Sequence, residues 1–140
     1  MFSRVRSGNT ILKYFNRINS NLLKTRLCSS SNKTYTDSDE WLYQTNNANN
    51  YKIGLSNKAS ELLGELVYIE YNFEVGEEFD IDDDLVFIES VKAANSIKAP
   101  FNGTIIKNNA DIENEGLHFI NEDPECINVS WFCELEKKID

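Results

Sequence analysis

The chain has 140 residues, room for one ordinary domain, and a 41% hydrophobic share supplies its core. Charge is unevenly placed: residues 1–36 hold seven of the 14 basic side chains and no acid, so residues 37–140 carry seven bases against all 23 acids, a formal −16. That balance excludes nucleic-acid binding through phosphate contacts for the acidic part, and the sequence holds no apolar run long enough for a membrane-spanning helix.

Residues 1–34 read as a mitochondrial transit peptide, which assigns residues 35–140 to the matrix as the folded domain. The segment is rich in Arg and Ser, free of acid and without a long apolar run. Phe2, Val5, Ile11, Leu12, Phe15, Ile18 and Leu22 can share one helix face opposite Arg4, Arg6, Lys13 and Arg17. Arg26, just before Leu27-Cys28-Ser29, stands where processing often follows. The rival is a basic tail that binds nucleic acid or a membrane surface.

In the acidic part, Asn46-Asn47-Ala48-Asn49-Asn50 predicts a hairpin loop joining strands Trp41–Gln44 and Tyr51–Leu55. A short helix follows. Ser56 or Asn57 caps it, Ala59, Leu62 and Leu63 form its apolar face, and Gly64 closes it in the left-handed conformation. Leu66–Glu70 and Leu85–Ser90 are strand-like, with a turn at Gly76. Ser96–Ala99 and Gly103–Ile106 make another pair around Pro100 and Asn102-Gly103, and a last strand covers roughly Val129–Leu135. The fold class is mainly β: two sheets with one or two short helices.

Little points to catalysis. His118 is the one histidine, in a segment that Asn114-Glu115-Gly116 marks as a loop, and no phosphate loop or nucleophile elbow is present. Asp80-x-Asp82-x-Asp84 resembles the start of a calcium loop, but Leu85 and Val91 stand where a glycine and the closing acid belong. The acidic run reads instead as a solvated loop, useful for steering basic partners, and no metal is expected. Cys126 and Cys133 match no zinc spacing and read as core thiols.

Glu89-Ser90-Val91-Lys92-Ala93 stands apart. An apolar strand runs into Lys92, small residues follow, and a second strand returns toward Pro100. That places Lys92 near a hairpin tip, accessible and held by rigid β structure. On spacing alone it is one more surface lysine.

From Tyr35 to Glu136, however, the chain resembles the lipoyl-carrying H protein of the glycine cleavage system. The resemblance rests on Ser38-Asp39-Glu40-Trp41, Ile53-Gly54-Leu55-Ser56, Leu63-Gly64-Glu65-Leu66-Val67-Tyr68-Ile69-Glu70, Ile88-Glu89-Ser90-Val91-Lys92-Ala93-Ala94, Ala99-Pro100-Phe101-Asn102-Gly103 and Asn121-Glu122-Asp123-Pro124. It implies a flattened barrel-sandwich hybrid of the lipoyl-domain type and a non-catalytic carrier with lipoic acid in amide linkage to Lys92. It also implies the partners: glycine decarboxylase, aminomethyltransferase, dihydrolipoyl dehydrogenase and lipoyl-attaching enzymes. Ser38 and Glu40 match positions lining a cleft that shields the aminomethyl cargo; their plainer roles are a turn residue and a strand-edge residue. Asp39 stands in place of the family's usual His, and Ser96 in place of a common acid. His118-Phe119 look like a small insertion, and most of a C-terminal helix found in many members is expected to be missing. The alternative function is a lipoyl relay protein supplying 2-oxoacid dehydrogenases, and loss of the acid at Ser96 slightly favours it.

Overall fold

The β-branched and aromatic runs pair as antiparallel strands, and the turns between them fall on Asn- and Gly-rich positions. The computed structural model describes residues 33–114 and 116–139, so most of the segment read as a transit peptide (1–32) lies outside the described residues. The strands are β1 (Lys33–Tyr35), β2 (Glu40–Gln44), β3 (Asn50–Leu55), β4 (Leu66–Tyr71), β5 (Glu78–Phe79), β6 (Asp84–Ser90), β7 (Ala94–Lys98), β8 (Gly103–Asn108) and β9 (Cys133–Lys137). The helices are α1 (Asn57–Leu63), α2 (Ala110–Asn114) and α3 (Leu117–Glu122). Lys33 and Thr34 already belong to β1, on the N-terminal side of the boundary drawn between 34 and 35.

Two unclosed sheets form, one of six strands in the order β1-β2-β3-β9-β8-β5 and one of three in the order β4-β6-β7. Ile53, Ile105 and Leu135 from the larger sheet meet Ile69, Ile88 and Ile97 from the smaller in one buried cluster. Each such side chain contributes about 1.5–3 kcal/mol on burial. Cross-strand packing sets the register of the β2–β3 hairpin, where Trp41 lies opposite Gly54. A Cβ at position 54 would sit 2.5 Å from the indole ring, so only glycine lets Trp41 cross the neighbouring strand. The buried indole N–H donates to the Pro124 carbonyl at 2.8 Å, and Ile127 and Trp131 complete a second small core around it.

Several details change. Among the described residues the helices are three and short, as the fold class requires, and His118 lies on α3 rather than in a loop, its ring 4.2 Å from that of Phe119. Helices α2 and α3 exist because they bury Ile112 and Ile120 completely; with so few apolar residues each, neither spans enough turns to show a helical period. On α1, Ser56 caps as expected, its hydroxyl accepting from the Ala59 N–H at 3.1 Å, but Leu62 is 69% exposed. The last strand starts at Cys133, not Val129. The carbonyls of Val129 and Trp131 are taken by the Asn109 side-chain amide, and Ser130 bonds back to Asp123 and Phe119. Those side chains replace a β ladder. Cys133 is a buried free thiol, pushed up by burial, whereas buried Cys126 is disulfide-bonded and so is not the second thiol expected.

Candidate functional site

Strand β6 buries Val86, Ile88 and Ser90 and ends at a turn of three residues before β7 begins. Ser90 organises that turn. Its hydroxyl donates to the Ala93 carbonyl at 3.1 Å and accepts from the backbone N–H of Lys92 (3.2 Å) and of Ala93 (3.1 Å). The Ser90 N–H also donates to the Ala93 carbonyl, at 2.8 Å, and the Val91 N–H donates to the Glu65 carbonyl, at 3.0 Å. The turn is therefore held from within and from the neighbouring segment. Val91, Lys92 and Ala93 are all exposed, as is Glu89, which pairs with Tyr68 on β4 and Ala94 on β7.

The stem of Lys92 lies against the end of α1. A Cβ at Gly64 would stand 3.3 Å from the lysine Cε. Gly64 has φ 80° and ψ −163°, an extended conformation with positive φ rather than the left-handed helical cap expected, and one nearly confined to glycine. The residue thus stops the helix and leaves room for the lysine stem. Among the described residues the Lys92 amine has no ion-pair partner.

Beside this hairpin is a cleft of about 160 Å³. Its lining includes Ser38, Asp39 and Glu40 on one side, Leu63 of α1, and Asn95 and Ser96 of β7 on the other. Ser38 and Glu40 are thus brought together with Ser96. Ser38 is an exposed turn residue at the rim. Glu40 opens β2, which is flanked by β1 and β3, so it is not on a sheet edge, and it is only 4% exposed. The free edge here belongs to β7, whose other side pairs with β6. The Lys98 N–H on that edge donates to the Glu40 carboxylate, and the Thr36 hydroxyl donates to Glu40 Oε1 at 2.5 Å. Burial pushes the Glu40 carboxyl above the ordinary range, and these donors, together with the Glu40 N–H, oppose that rise.

Three contributors went unnoticed in the sequence. Thr36 is one, and its signal is its place four residues before Glu40. Asp39, noted only as a departure, has φ 66° and lines the cleft; nothing in sequence announces a positive φ at a non-glycine residue. Gly64 is legible in sequence as a helix stop but not as a neighbour of Lys92. The acidic run serves local turns: the Asp83 carboxylate accepts from the Asp80 N–H at 2.8 Å and Glu77 from the Glu74 N–H at 2.6 Å. Asp84 pairs with Lys98.

Two unclosed antiparallel sheets with few short helices form a fold of the lipoyl-domain-like class. The family model described as glycine cleavage H-protein matches residues 33–139. The glycine cleavage system H protein of Photorhabdus laumondii is 39% identical over 90 residues, covering 64% of this chain and 67% of that protein. The Marinomonas H protein is 37% identical over 115 residues, covering 78% and 88%. A crystal structure of the H protein from Mycobacterium marinum superposes with a TM-score of 0.67 at 25% identity, covering 78% of this chain and 86% of that one. The chain belongs to the glycine cleavage H-protein family, whose members carry a lipoyl group within the glycine cleavage system.

These relatives favour the glycine-cleavage role over a lipoyl relay. They also correct the expected matrix location, because they are bacterial, from organisms without mitochondria. A basic, acid-free segment with helical apolar spacing has the charge pattern of a targeting peptide, but that pattern alone does not specify a compartment.

Proposed function

We propose that Lys92 is the residue that carries the lipoyl group, through an amide on Nζ, and that the protein acts as a non-catalytic carrier. The observation behind this is the pinned turn: Ser90 holds the backbone of Lys92 and Ala93 while the side chain is left exposed. The residues fit the group. The amine is reachable, Ala93 and Ala94 add little bulk, and Gly64 leaves the stem unobstructed. Bound there, a lipoyl group supplies the dithiol that takes up and gives up the aminomethyl cargo.

The chain's own residues supply placement and shielding. The hairpin offers the arm to the partners in turn, and tethering raises its local concentration at each docked active site. Those partners are glycine decarboxylase, aminomethyltransferase and dihydrolipoyl dehydrogenase, with lipoyl-attaching enzymes acting first. Ser38 and Glu40 form the wall on which a cationic cargo amine rests, with the nearly fully buried Glu40 carboxylate facing its positive charge.

Intact mass spectrometry of the protein after incubation with a lipoyl-attaching enzyme and its lipoyl donor tests the assignment. A mass gain of one lipoyl amide in the native chain, absent from Lys92→Arg, is expected. A gain retained in Lys92→Arg, or none in either, overturns it.

A further inference from the structure

Burying a carboxylate at the wall of a cleft sets two demands. It must stay ionised, and it must point one way. For Glu40, residues outside its own motif act on both. Thr36 donates its hydroxyl to Oε1 at 2.5 Å while the same oxygen, Oγ1, accepts from the Glu40 backbone N–H at 3.1 Å. The Thr36 N–H donates to the Glu40 carbonyl at 2.8 Å, and the Asp39 N–H to the Thr36 carbonyl at 3.1 Å. Side chain and backbone of one threonine therefore close a ring around Glu40, with Ser38 at its exposed tip.

We infer that Thr36 is a positioning residue for the cargo cleft, fixing the orientation of the Glu40 carboxylate so that it meets the cargo amine. This rests on the proposed carrier function and deepens it. The charged groups around Glu40 are few. Asp39 on the same turn raises its proton affinity, Lys58 of α1 lies 3.6 Å from Asp39, and the Lys98 ammonium on β7 is taken by Asp84. No lysine or arginine pairs with the Glu40 carboxylate among the described residues. Burial raises its proton affinity, and neutral donors, chiefly the Thr36 hydroxyl, oppose that rise. A hydroxyl that is itself bonded to the Glu40 backbone cannot swing away, which separates it from a water doing the same task.

The test uses Thr36→Val, nearly the same shape without the donor, with Thr36→Ser as the rescue and Glu40→Gln as the reference. The first readout needs no lipoyl group: carbon-13 NMR of the Glu40 carboxyl followed against pH in the full chain. Removing one hydrogen bond to a carboxylate should move its midpoint up by about one pH unit in Thr36→Val and leave it near native in Thr36→Ser. The second is retention of label on the lipoylated protein after loading with glycine decarboxylase and labelled glycine. The acid side of the retention profile should shift upward with the NMR midpoint, with about tenfold faster loss at its edge. An unmoved midpoint in Thr36→Val overturns the inference, as does a shifted midpoint with native retention. Native protein that retains no label sinks the parent carrier function instead, and the NMR midpoints then decide the role of Thr36. Should Thr36→Val melt early, Thr36→Ala is read in its place by the same two measurements.

Discussion

Replacing Ser90 by Ala tests whether the hairpin is held by that hydroxyl. The side chain is almost fully buried and makes three hydrogen bonds, of which the one to the Ala93 carbonyl is duplicated by the Ser90 N–H. The bonds truly lost are those accepted from the Lys92 and Ala93 N–H groups. Both residues are exposed, so water takes over part of each loss, and about 0.5–1.5 kcal/mol per bond is the appropriate scale. The tip should therefore open with about 1–2 kcal/mol less cost, and roughly tenfold more often. Native-state hydrogen exchange reads this directly. The Lys92 and Ala93 amides should lose about tenfold protection in Ser90→Ala, while the Val91 amide, bonded to Glu65, keeps most of its own. Lipoylation, followed by intact mass, should slow several-fold because the lysine is no longer held in one place. Unchanged exchange at residues 92 and 93 would refute the claim that Ser90 pins the turn.

Other outcomes follow from single contacts. Gly54→Ala should cost about 2–4 kcal/mol in urea denaturation, because the new Cβ, 2.5 Å from the indole, must push Trp41 off its Pro124 bond. Glu40 binds its proton more tightly folded than unfolded, so native stability should fall as pH rises from 4.5 through its raised value; Glu40→Gln should lack that fall and be the more stable protein at neutral pH. Glu125 has the opposite sign. Burial would raise it, but Tyr35, the Asn57 N–H and Lys33 together hold it below 4.5, so its contribution is present above that pH and lost on acidification. Glu125→Gln should flatten that acid loss in a series of melts from pH 3 to 6.

How much of this was legible in the sequence depends on how local the cause is. The β2–β3 hairpin, α1 and the β6–β7 hairpin are each specified within about fifteen residues, by alternation, a capping serine and turn chemistry. They were placed to within two residues. The hairpin-tip position of Lys92 is legible for the same reason, whereas its choice as the attachment residue rests on the resemblance. The helices α2 and α3 were missed because each turns on one fully buried isoleucine. Residues 129–132 looked like a strand because Val129, Trp131 and Phe132 are apolar and alternate loosely. What keeps them out of the ladder is Asn109, twenty residues earlier, which no local pattern reveals. Glu40 was found only by resemblance. Its burial depends on β7 coming alongside, and its orientation on the Thr36 hydroxyl, neither of which a local pattern reveals.

That dependence explains why the short strand β1 belongs to the site. Three residues paired only with β2 at the margin of a sheet hold few backbone bonds, so β1 needs side-chain anchors at both ends. Lys33 and Tyr35, its first and last residues, both reach Glu125: the lysine pairs with the carboxylate and the Tyr35 hydroxyl donates to it at 2.6 Å, which pushes the phenol up to about 12. The Asn57 N–H, at the start of α1, donates to the other Glu125 oxygen at 2.7 Å. Immediately after the strand Thr36 closes on Glu40. One carboxylate thus fastens β1 to the helix whose last turn faces Lys92, and the other is held by β1 at the cleft wall. Loosening β1 at Glu125 would therefore free Thr36 and with it the orientation of Glu40, although Glu125 itself lines no part of the cleft.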